Sequence, residues 1–136
     1  MTARHRTALV LLSALMLTGC APQADPASAV ETAAGDAAGG TFALSDVEGI
    51  EGSAFLVACP YESVASLEER LGAEWSASDR SEDEGAQTLA VLEGDEVGTA
   101  IELDRGTVDF CSGDSWELLP LDTRLAVSES LEVTVA

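Results

Sequence analysis

Residues 21–40 contain a single large apolar side chain, Val30. That scarcity limits where this chain can build a core. The stretch is rich in Ala, Gly, Pro, Ser, Thr and Asp, and such a composition buries too little surface to offset its ordering entropy. It is expected to be a flexible tether with a typical end-to-end distance of about 25 Å. The folded unit is then expected over residues 41–136, enough for one modest core.

Inside that unit the apolar run at residues 53–58 has the length of a buried strand. Cys59-Pro60 ends it. Val64, Leu67 and Leu71 then fall at helical spacing, which predicts a helix over residues 60–71. Pro60 suits its first turn, and Gly72 its end. Residues 76–85 are polar and read as a loop. Residues 87–92, 97–103 and 107–111 read as an antiparallel meander, with turns at 93–96 and 104–106. Leu89, Val91, Ile101, Leu103, Val108 and Phe110 are the inward candidates. Residues 124–127 and 131–135 add a final pair of strands. The expected fold class is α+β: one domain, an early helix packed on a mostly antiparallel sheet of five to seven strands.

The N-terminal end sets a different constraint. Arg4, His5 and Arg6 precede an apolar run over residues 7–17. Eleven residues are too few to span a membrane core, which needs about 20, and they suit the apolar region of a cleaved export signal. Leu17-Thr18-Gly19-Cys20 follows directly. This tetrapeptide resembles the lipobox of bacterial lipoproteins. The resemblance covers residues 1–20 and implies a signal over residues 1–19, with lipid on Cys20. Residues 20–40 would then be the lipidated cysteine and its tether. It also implies a location at the cell membrane, lipid-anchored on the extracytoplasmic face. Two or three acyl chains would make the anchor firm, since one alone binds only marginally.

Lysine is absent, and the only histidine is His5. Cleavage before Cys20 leaves Arg70, Arg80, Arg105 and Arg124 against all 25 acidic residues, a balance more negative than the −19 of the whole chain. Such a surface repels nucleic acid, and no nucleic-acid partner is expected. With Cys20 lipidated, Cys59 and Cys111 remain. Two internal cysteines in an exported chain point to a disulfide. Two buried thiols, or a Cys59 thiol activated by a helix start, are the alternatives.

The chemistry of sites narrows from there. Cys111-Ser112-Gly113-Asp114-Ser115 resembles the nucleophile stretch of trypsin-like proteases over five residues. Trp116-Glu117 stands where that family has glycines, and no histidine or lysine base remains after the signal. Zinc, copper and haem sites need more His, Met and Cys than residues 20–136 offer. Calcium takes oxygen ligands. Asp79 and Asp83 in one acidic loop and Asp95 in the next turn are its candidate ligands, provided that the two loops converge. Among the aromatics, Trp116 sits in a polar stretch and is the candidate for an exposed contact. The function expected is a non-catalytic binding or protein-interaction module of the cell envelope, without a cofactor. Its partner is expected to be another envelope protein with a basic surface. The alternative is a small-ligand or calcium-binding envelope module, and a hydrolase stands third.

Overall fold

The computed structural model describes residue 19 and residues 25–113 and 115–136. Cys20 and the remainder of the expected signal and lipobox lie outside them. Over these residues the chain is α+β, with two helices and seven strands in two sheets. The expected class holds. The single sheet becomes two, and a helix appears where a tether was expected.

That helix, α1 (Pro26–Asp36), corrects the reading of residues 21–40. Asp25 caps it by accepting a hydrogen bond from Ser28 N at 3.3 Å, and Pro26 opens its first turn. Alanine, the best helix former, fills much of the rest. Val30 and Ala34, four residues apart on one face, are fully buried. One apolar stripe therefore suffices to dock the segment, which scarcity of large side chains had seemed to forbid. The folded unit therefore includes residues 26–36.

A three-stranded antiparallel sheet has the order β1 (Thr41–Phe42), β6 (Leu125–Val127), β7 (Val133–Val135). A four-stranded antiparallel sheet has the order β4 (Glu96–Asp104), β3 (Ala86–Glu93), β2 (Ala54–Ala58), β5 (Leu119–Pro120). In its centre Phe55 pairs with Val91 and Val57 with Leu89. From Gln87 to Leu92 every residue of β3 is buried, so the strand is covered on both faces instead of alternating. Strand β4 does alternate, burying Ile101 and Leu103 between exposed neighbours. The register shifts opposite Val91 and Leu92, which leaves Gly98 as the extra residue of a bulge.

Helix α2 (Val64–Leu71) is shorter than the expected 60–71. Tyr61 has a left-handed φ of 67°, which no α-helix accommodates, and Ser63 caps the helix by accepting from Ser66 N at 3.2 Å. Gly72 ends it at φ 70°. Leu67 and Trp75 close over Ala58 and Thr88, with a void of only about 10 Å³ between them.

Residues 107–111 do not form the expected strand. Only Asp109 bridges to another strand segment, at Glu132 and in parallel. The reason is a side chain. Gln87 is buried; its Nε2 donates to Val108 O at 2.6 Å and its Oε1 accepts from Phe110 N at 2.9 Å. Asp109 meanwhile donates to Leu131 O and accepts from Val133 N. The backbone groups that a sheet would pair are already satisfied on both sides.

Gly52 lies close against the backbone of β3. A Cβ there would lie 2.6 Å from Leu92 O and from a Val91 methyl. Gly52→Ala is expected to destabilise the chain by about 1–3 kcal/mol, because backbone on the facing strand must move. Urea denaturation of that variant checks it, and an unchanged midpoint would show that the edge of the sheet yields freely.

Candidate functional site

Cys59, just after β2, and Cys111 form a disulfide with Cα atoms 5.7 Å apart. The bridge ties the end of a central strand to the segment that Gln87 also holds, so neither cysteine is a free nucleophile. Asp109 braces the same segment. It receives both Nε and Nη2 of Arg105 at 3.0 Å and the Cys111 N–H at 2.7 Å. Burial alone would raise its pKa, but the Arg105 and Cys111 hydrogen bonds outweigh burial and hold it below the ordinary 3.8. A lowered folded-state value stabilises the fold fully above the ordinary pKa, and that stability is lost as pH falls through the folded value. The expected result is a loss of thermal stability below about pH 4. Asp109→Asn should flatten this acid limb and lower stability at pH 7. An acid limb of equal slope in the variant would assign the titration to other carboxylates.

The calcium candidates do not meet. Asp79 and Asp83 lie in the loop before β3, and Asp95 in the turn after it. Eight strand residues separate these ends by about 25 Å. The two loops therefore cannot share an ion. Within the first loop the carboxylates are engaged locally: Asp79 accepts from Ser81 N at 2.9 Å, and Asp83 from Gly85 N at 3.1 Å. The Ser81 backbone and side chain hold the Asp79 carboxyl below its usual value. Arg80 reaches across to Glu102 through two hydrogen bonds, at 3.0 and 2.8 Å. Among the described residues no group of three or more His, Cys, Asp or Glu converges as a metal site.

Trp116 is buried, which corrects the expectation of an exposed contact. Its ring lies 6.0 Å from Phe55 and 5.8 Å from Phe110, and its Nε1 donates to Phe110 O. Arg70, from the last turn of α2, donates to Trp116 O and to Glu62. The polar neighbours of Trp116 in sequence thus face outward while its ring turns in. The exposed aromatic is Tyr61, 73% accessible on its left-handed backbone. No periodicity marked it, because it belongs to no regular element.

Beside Trp116 the surface opens into a groove of about 510 Å³, within the range of ligand pockets. Phe110, Trp116 and Leu119 form one wall, and Val133, Thr134 and Val135 of β7 the other. Among the described residues Glu117 is the one charged side chain lining it, and Ser115 sits on its exposed rim. The sequence hinted at this site only through the polar stretch around Trp116, since its walls come from two segments that no local window joins. No known family, curated protein or solved structure matches the chain. No helix among the described residues is long and apolar enough to cross a membrane.

Proposed function

We propose that this chain is a lipid-anchored, extracytoplasmic envelope protein that works by binding another envelope protein, without catalysis. The groove beside Trp116 carries this reading. Its described lining is largely apolar, and among the described residues Glu117 is the one charged side chain in it, with no base or cation beside it. Such a surface offers contact area in place of proton transfer. The bridged pair Cys59–Cys111 supports an oxidising compartment, and Leu17-Thr18-Gly19-Cys20 supports the anchor.

A photo-cross-linking amino acid in place of Ser115 tests the binding role in native membranes. One polypeptide should be captured repeatedly from that position and not from a control position at Glu69 on the outer side of α2. Equal capture from both positions, or none from Ser115, would sink the reading. The anchor has its own test. Cys20→Ser should abolish palmitate labelling and move the protein out of the membrane fraction, and retention in that fraction would refute lipid anchoring.

A further inference from the structure

We propose that the groove receives an extended polypeptide strand, which adds to the outer edge of β7 and sets a basic residue against Glu117. This deepens the interaction reading and rests on it. Ser128 N donates to Glu132 O, and Ala136 N to Arg124 O, so even-numbered residues of this segment face β6. Odd-numbered ones face away, as the bond from Val133 N to Asp109 O shows. Asp109 covers only the start of that edge: Cys111 N turns back to the Asp109 carboxylate, and Gly113 lies beside the Thr134 side chain with no backbone bond to β7 among the described residues. Past that point Val133 C=O and Val135 N–H and C=O point into the groove side, and no described residue bonds to them.

Sheet edges are ordinarily guarded by charge, proline or a bulge. The β4 edge has Glu96, Glu102 and the bulge at Gly98, and the β5 edge has Pro120. The β7 edge is Val133-Thr134-Val135, with none of these. The wall facing it is apolar, so a strand laid there finds both backbone partners and a place for alternate side chains. Strand addition uses that combination. Charge then selects the occupant. The chain carries −19, Glu117 is the one charged side chain among the described residues of the groove, and Arg70 and Arg124 are engaged elsewhere, with Glu62 and with Asp46 and Thr41. A second copy would bring like charge to like, whereas a segment with Lys or Arg beside its apolar residues is complementary.

The test is selection of a displayed library of random nine-residue peptides on the full 136-residue chain, followed by anisotropy titration of the enriched peptides. Enriched peptides should carry apolar residues at alternate positions and a Lys or Arg. Val135→Pro removes only an outward N–H, a position where an edge strand tolerates proline. It should weaken binding at least tenfold with the thermal midpoint kept, as should Glu117→Lys. N-methylation of alternate peptide nitrogens should do the same. Enriched peptides that ignore both variants, or that repeat apolar residues every three to four positions, would overturn the strand inference and leave the interaction reading standing. So would an empty selection if Ser115 still captures one polypeptide. Failure of both experiments rejects both. Concentration-dependent dimerisation abolished by Val135→Pro would make the occupant a second copy and overturn the proposal.

Discussion

Removing the Cys59–Cys111 bridge, by Cys59→Ala with Cys111→Ala or by reduction, is expected to cost about 4 kcal/mol of stability. The two cysteines are 52 residues apart, and cross-linking a loop of that length removes about this much chain entropy from the unfolded state. A domain of this size has roughly 5–15 kcal/mol in all. The thermal midpoint should therefore fall by roughly 15–30 °C. Urea denaturation with and without reductant measures it. A loss under about 1 kcal/mol would mean that residues 108–111 are held as well by their other ties. Those ties are substantial: Gln87 grips Val108 and Phe110, and Asp109 joins Arg105, Leu131 and Val133. The experiment thus separates the covalent tie from the polar one. The groove residues Phe110 and Trp116 flank Cys111 in the chain, so loss of the bridge should also loosen the binding surface.

Strands β2 and β3 were legible as compact apolar runs, and β4 through the alternation that buries Ile101 and Leu103, each bounded by turn residues. The close of α2 at Gly72 was legible for a similar reason. Its start was not, because Pro60 is an equally good first-turn residue, and nothing local announces that Tyr61 adopts a left-handed backbone. Helix α1 was hidden by a rule that counts large side chains. Val30 and Ala34 needed only a matching surface on a sheet whose existence no local window shows. The segment 107–111 has strand composition but lies beside a buried glutamine that claims its backbone, and Gln87 itself reads as an ordinary polar position in an alternating strand. The bridge was legible from counting cysteines once Cys20 was set aside for lipid. The groove was not, since its walls join the end of the chain to a segment some twenty residues earlier. The acidic loops misled in the opposite way. They are near in sequence, yet the strand between them holds them apart.

Trp116→Ala is expected to destabilise the fold by about 3–5 kcal/mol, the range for emptying a buried aromatic site. Three contacts fail together. The ring packs between Phe55 of β2 and Phe110, Nε1 satisfies Phe110 O, and the backbone beside it accepts from Arg70. Losing the ring leaves Phe110 O buried without its donor, which adds a desolvation penalty to the cavity. The Nε of Arg70 already lacks a partner among the described residues, so a shift of the Trp116 backbone would leave more of that guanidinium unsatisfied. Trp116→Phe separates these effects. It keeps most of the packing and removes the donor, and should cost about 1–3 kcal/mol. Chemical denaturation of both variants reads the difference. If alanine cost no more than phenylalanine, the hydrogen bond would be the whole contribution, and the aromatic cluster would be surface cover over a core that β2 and β3 complete alone. Because Trp116 also lines the groove, a stable Trp116→Phe variant should retain peptide binding, whereas Val135→Pro should lose it with the core intact. That contrast assigns rigidity to the tryptophan wall and recognition to the strand edge opposite.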